Sequence, residues 1–205
     1  MTNFEIYTYL KSKNGGGNTD TATLDALINR SITEINNDRV TNIGVYAFQG
    51  CFQLTSVDFP NATSIGVNAF RDCSRLTSAD FPNATSIGAH AFRDCSQLSS
   101  VNFRSVTSIG DYAFGNCSRL TSVDFPNATS IGAQAFYNCS RLTSIKLASS
   151  QVVTLGSANA FERTPFSNGA GSIYVPDELV ESYKTATNWV TYANQIKGIS
   201  GLEET

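Results

Sequence analysis

Apolar residues recur along this chain with a step of 22. Ile43, Ile65, Ile87, Ile109 and Ile131 keep that step, as do Phe48, Phe70, Phe92, Phe114 and Phe136. Leu54, Leu76, Leu98, Leu120 and Leu142 follow it, and so do Cys51, Cys73, Cys95, Cys117 and Cys139. The unit reads LTSVDFPNATSIGxxAFxxCSR. A single 22-residue unit has no core of its own, so the apolar set of one unit must be buried against the next.

The spacing inside the unit predicts its elements. In LTSVDF, Val57 and Phe59 alternate with Ser56 and Asp58. That is a period of two, hence a strand with one face buried. Strands are expected at 54–59, 76–81, 98–103, 120–125 and 142–147, parallel and in register. Pro60 ends the first because proline lacks a ladder donor. SIG forms a second short extended piece, with Gly66 permitting a turn. The stretch VNAFRDC returns the chain as a short helical turn, with Ala69, Phe70 and Cys73 inward.

The expected fold is an α/β repeat solenoid: a right-handed array of about six 22-residue coils, with parallel strands, short helical turns and terminal caps. Residues 1–30 form a lead and a cap helix carrying Leu24, Leu27 and Ile28. The repeats run over 31–166, and residues 167–205 form a C-terminal cap with SIYVP and the helical DELVESYKTA.

Composition narrows the function. The chain has 205 residues, 41% hydrophobic and 15% charged, with a formal net charge of -3. It is too apolar for disorder. It lacks the basic excess of a nucleic-acid binder, so no nucleic-acid partner is expected. No apolar run approaches a membrane span, so no membrane insertion is expected. MTNFEIYTYLKSKNGGG has no basic start followed by an apolar stretch, so no signal peptide is expected.

The motif L-x-x-V-x-F-P followed by S-I-G-x-x-A-F-x-x-C resembles the BspA-like (TpLRR) class of leucine-rich repeats over about 32–175. The tail IYVPDELVESYKTATNWVTYANQIKGI resembles the ending common on such arrays. The resemblance implies adhesion or binding to a host or surface component. Members occur on bacterial cell surfaces, in protozoan surface antigens and in bacteriophage structural proteins. The uniform PNATSIG units look most like the phage-associated members.

Candidate chemistry is sparse. The cysteines never form C-x-x-C and the chain has one histidine, so no metal site is expected. Five stacked cysteines read as buried free thiols. His90 shares the column Asn68, His90, Tyr112, Gln134, whose varied members read as solvent-facing, and nothing pairs with it as a nucleophile. The sequons at Asn61, Asn83, Asn127, Asn116 and Asn138 arise from copying of the unit. No catalytic residue and no cofactor are expected.

The outward strand column Asp58, Asp80, Asn102, Asp124 and Lys146, beside a row of serines, reads either as a solvated edge or as a cation or glycan-hydroxyl site. The fourth unit departs most from the consensus, through Asn102, Arg104, Ser105, Val106, Asp111, Tyr112 and Gly115. The candidate ligand-binding residues are therefore Asp80, Asn102, Arg104, Tyr112 and Asp124. The expected function is non-catalytic binding of a protein or glycan on a host or neighbouring cell, by an extracellular or virion-associated chain. The alternative is a structural spacer or accessory virion protein without a receptor of its own.

Overall fold

The computed structural model describes residues 32–202. The expected lead and cap helix over 1–30 lie outside the described residues. Each coil has three sides. The first carries a short strand: β1 (Glu34–Asn36), β3 (Ser56–Asp58), β5 (Ser78–Asp80), β7 (Ser100–Asn102), β9 (Ser122–Asp124) and β11 (Ser144–Lys146). The second carries a two-residue strand: β2 (Asn42–Ile43), β4 (Ser64–Ile65), β6 (Ser86–Ile87), β8 (Ser108–Ile109), β10 (Ser130–Ile131) and β12 (Thr154–Leu155). Pairing is parallel and in register, with Val57 beside Ala79 and Ile65 beside Ile87. The first strands fall inside the expected ranges and are shorter. The Leu54 amide turns back to Cys51 O at 3.1 Å rather than joining the ladder.

The third side holds the A-F-x-x-C segment. Ala69, Arg71 and Cys73 each donate to the carbonyl three residues earlier, as in a helical turn. No helix propagates, because left-handed residues interrupt it. Asn68, His90, Tyr112 and Gln134 have φ of 51–58°, and Asp72, Asp94, Asn116 and Asn138 have φ of 55–64°. This conformation is uncommon for residues other than glycine and favours Asn and Asp. It turns alternate amides toward the next coil: Asn68, Phe70 and Asp72 donate to Ala89, Ala91 and Arg93 at 2.8–3.0 Å. Half of the segment's donors thus close the turn and half tie the coils together.

Two phenylalanine columns fill the core. Phe48, Phe70, Phe92, Phe114 and Phe136 stack with centroids 5.1–5.5 Å apart and rings within 11° of parallel. Phe59, Phe81, Phe103 and Phe125 form the second column, tilted against the first. Each such ring, fully buried, contributes roughly 1.5–3 kcal/mol.

Several conserved-looking polar positions of the unit are also structural. The Thr55 and Thr77 hydroxyls donate to Thr33 O and Thr55 O at 2.8 Å. Asn61, Asn83 and Asn127 donate through Nδ2 to carbonyls of the preceding coil at 2.7 Å. Asn116 Nδ2 donates to Asp94 Oδ1 and Asn138 Nδ2 to Asn116 Oδ1. In every one of these sequons, the nitrogen that a glycan would occupy already holds two coils together. The glycine of SIG has a reason other than turning. A Cβ on Gly110 would lie 2.5 Å from Ala89 N, and one on Gly88 would lie 2.7 Å from Gly66 C. Glycine is required there because neighbouring backbones touch.

The five cysteines are free and buried. The Sγ of Cys73, Cys95, Cys117 and Cys139 each donates to a phenylalanine carbonyl of the coil before, at 3.0–3.2 Å. Burial raises the Cys139 thiol from 9.0 to about 12 and pushes Cys73 and Cys117 well above their ordinary value. At neutral pH they are protonated, and the thiolate needed for nucleophilic attack is absent.

Beyond the repeats, β13 (Ser172–Val175) pairs with β11, and β14 (Ile196–Gly198) pairs with β13. Between them α1 (Val180–Thr185) and the 3-10 segment Trp189–Gln195 cover the last coil. Their side chains supply the partners that another coil would have given. Tyr183 Oη accepts from Val153 N at 3.0 Å, and Trp189 Nε1 donates to Val153 O at 2.6 Å. Asn188 Nδ2 donates to Leu155 O at 2.7 Å and Tyr192 Oη to Ala158 O at 2.5 Å. The stack ends because its edge groups are satisfied.

Candidate functional site

Two surfaces carry side chains that depart from the repeated bonding of the unit. On the strand side, the pleat sends Ser56, Ser78 and Ser100 outward in one row and Asp58, Asp80 and Asn102 in another. Between the rows lies an open depression of about 270 Å³, with Val57 and Ala79 also lining it. Asn102 Nδ2 donates to Asp80 Oδ1 at 2.8 Å, so the amide neutralises part of what would be carboxylate repulsion. Asp58 lies between Asn36 and Asp80 in the same column. Partial burial and then the charge of Asp80 raise its pKa above the ordinary carboxylate value. One coil past Asn102, Asp124 is exposed and ion-paired with Lys146 at 3.8 Å, an exposed contact of little energetic weight.

The turn side carries the aromatic exceptions. His90 stacks on Tyr112 with centroids 5.1 Å apart and rings 15° from parallel. The Arg93 guanidinium lies 5.3 Å from the Tyr112 centroid, and that of Arg163 lies 5.2 Å from Tyr137. The Tyr112 hydroxyl donates to Gln134. Gly115 lies against this group: a Cβ there would sit 3.5 Å from the Tyr112 ring and 3.6 Å from Arg93 Cγ, in ordinary contact with both. The column expected to face solvent is half-buried instead, and Asn68 is 6% exposed. Its left-handed backbone lays each side chain along the stack rather than away from it. Burial, then Arg93 and Arg71, lowers the His90 pKa, so its imidazole is neutral at pH 7.

The five candidate residues are therefore divided. Asp80 and Asn102 touch, and Asp124 shares their column without bonding to either. Arg104 is exposed at the corner that follows β7, in the column that holds Pro60, Pro82 and Pro126. Tyr112 belongs to the turn side, with His90 and Arg93. His90, Tyr112 and Tyr137 stand out in the sequence as residues that break the uniformity of this side and as candidate ligand contacts; their packing on one another is what the structure adds. Among the described residues, no group of three or more His, Cys, Asp or Glu is placed to hold a metal ion, and no helix is long and apolar enough to cross a membrane.

The BspA type leucine rich repeat region matches residues 23–128 and 63–184, in 6 copies. The chain belongs to this family. As a BspA-type array it is similar to several solved structures. The T. pallidum leucine rich repeat protein (TpLRR) is 29% identical with a TM-score of 0.53, over 57% of this chain and 59% of that one. A leucine-rich repeat protein from Bacteroides ovatus is 26% identical with a TM-score of 0.62, over 82% of this chain and 43% of its own. A leucine rich cell surface protein from Faecalibacterium prausnitzii is 26% identical with a TM-score of 0.54, over 71% and 48%. The BspA-type array thus spans less than two thirds of the length of each of these proteins. No curated protein matches the chain. Leucine-rich repeat families serve in general in protein binding or adhesion, and are generally non-enzymatic.

Proposed function

We propose that this chain is a non-catalytic adhesive protein, borne on a cell or virion surface, that binds a protein or glycan on a host or neighbouring cell. The observation that carries the reading is how the polar residues are used. The Thr and Asn columns repeat the same coil-to-coil bonds, whereas the middle coils depart from the unit at exposed or half-exposed Asn102, Arg104 and Tyr112, with Arg104 exposed at a corner and Asn102 and Tyr112 in contacts of their own. Likeness to a leucine rich cell surface protein supports a surface location. The neutral His90 and the protonated thiols offer no activated nucleophile.

Labelled protein is expected to bind host cells or a glycan array saturably. Two variants separate the faces: Asn102→Ala with Arg104→Ala on the strand side and corner, and Tyr112→Ala on the turn side. Loss in one of them assigns the contact face. Wild-type binding that neither variant weakens would place recognition away from the middle coils. A wild type that binds no surface would replace this reading with the spacer.

A further inference from the structure

The first-side sheet is not continuous. Its strands run in two separate groups, β1-β3-β5-β7 and β9-β11-β13-β14, and among the described residues no backbone bond joins β7 to β9. Other junctions are closed by a fixed set. Between β3 and β5, Thr77 and Ser78 N–H donate to Thr55 O at 2.8 and 3.3 Å, and Phe59 N–H donates to Asp80 O at 3.0 Å. The equivalents here would be Thr121 and Ser122 N–H to Ser99 O, and Phe103 N–H to Asp124 O, and none of them is formed. The same two coils stay joined on their other sides. Ile109 pairs with Ile131, Thr129 N–H donates to Thr107 O at 2.8 Å, and Phe114 N–H donates to Ala135 O at 2.8 Å. The two coils are therefore bonded on two sides and unbonded on the strand side. The aromatic column beneath stays packed: Phe103 and Phe125 are 6.2 Å apart, against 5.9 Å for Phe81 and Phe103 across a closed junction.

We propose that this slot takes a short extended segment of a protein partner, which adds as a strand between β7 and β9. Two facing strand edges with unpaired amides and carbonyls form a template for a third strand. An added strand pairs at about 4.8 Å on each side, so the coils must part further here; that breaks no bond between β7 and β9, but it loosens the corner that Asn127 Nδ2 ties to Arg104 O. The flanking side chains set the segment's chemistry. Its inward residue lies between Val101, which is half-exposed, and Val123, and so is aliphatic. Its neighbours point outward beside the small Ser100 and Ser122 on one side, and beside Asn102 and Asp124 on the other. The first is therefore small and the second basic. The chain already displays this match on the far edge of β9. There Ser144-Ile145-Lys146 of β11 sets Ile145 beside Val123 and Lys146 against Asp124. The partner segment repeats Ser-Ile-Lys chemistry on the open edge.

The proposal rests on the reading of the array as a binding protein, and its probe is independent of any cell surface. A fluorescein-labelled peptide Leu-Thr-Ser-Ile-Lys-Leu is titrated into the whole protein and followed by anisotropy. Saturable binding is expected. N-methylation of the peptide's central main-chain nitrogens should weaken it about tenfold or more, the equivalent of about 1.4 kcal/mol in all. Replacing the peptide's lysine by glutamate should weaken it as well, and Ser122→Pro in the protein, which deletes one edge donor, should do the same. No saturation by about 1 mM, where an interaction is worth only about 4 kcal/mol, overturns the proposal. So does an N-methylated peptide that binds as well as the parent, an arm that needs no protein variant to fold. Peptide failure with cell-surface binding intact discards the slot alone. Peptide binding without cell-surface binding discards only the choice of target.

Discussion

Replacing Phe92 with alanine is expected to destabilise the fold by about 3–5 kcal/mol, the cost of emptying a buried aromatic site. Phe92 is fully buried and has four ring neighbours: Phe70 at 5.2 Å and Phe114 at 5.5 Å in its own column, and Phe81 at 6.2 Å and Phe103 at 5.6 Å in the other. The backbone around it is pinned. Its amide donates to Ala113 O at 2.7 Å, and the ring column is repeated above and below, so the site cannot collapse without shifting three coils. Asp80→Ala gives the contrast. It loses one hydrogen bond to Asn102 and relieves the charge on Asp58, two small effects of opposite sign. Denaturant midpoints should fall strongly for the first variant and barely for the second. The reverse order would mean that the inward and outward faces are exchanged.

Trp189→Ala is expected to be at least as damaging, because it removes volume and a bond together. The indole is 1% exposed, packs 5.2 Å from Tyr183 and 5.9 Å from Phe161, and donates to Val153 O. Emptying the site costs about 3–5 kcal/mol, and the orphaned carbonyl adds about 1–3 kcal/mol. Trp189→Phe keeps most of the ring and loses the donor, so it isolates the second contribution. In a stacked array each coil leans on its neighbours, so the damage should begin at the last coil and leave the early coils folded longest. Circular dichroism during denaturation, compared with the fluorescence of the single tryptophan in the wild type, follows the array and its cap separately.

Legibility in the sequence followed the physics of burial. The 22-residue step reported which side chains face inward, because a core position tolerates few residue types. Val57, Phe59, Ile65, Ala69, Phe70 and Cys73 are all buried as the pattern predicts. Hydrogen-bond partners leave no such trace. The carbonyl that receives Thr77 or Asn83 belongs to another coil and carries no side-chain signature. The reason for Gly110 was hidden in the same way, because the atom it must avoid is the Ala89 amide of another coil. The cap was readable only as an ending. Tyr183, Asn188, Trp189 and Tyr192 repeat nowhere, and each meets a different edge group. The candidate site was legible in its residue types and not in its grouping. Asp80 and Asn102 touch as neighbours in one column should, and Tyr112 lies on the A-F-x-x-C side as its place in the unit predicts, but its contacts with His90, Arg93 and Gln134 carry no sequence signature.

The split strand side distinguishes this array from a uniform stack, and backbone hydrogen exchange in the native protein tests it most directly. Amides bonded across a closed junction exchange only when the coils separate. Thr77, Phe81, Thr143 and Phe125 donate across such junctions and are expected to exchange slowly. Thr121, Ser122 and Phe103, at the open junction, are expected to exchange much faster, while Phe114 and Thr129 on the other sides of the same two coils remain protected. Protection of Thr121 and Phe103 equal to that of Thr77 and Phe81 would contradict the account: the sheet would then be continuous, and the slot between β7 and β9 would not exist.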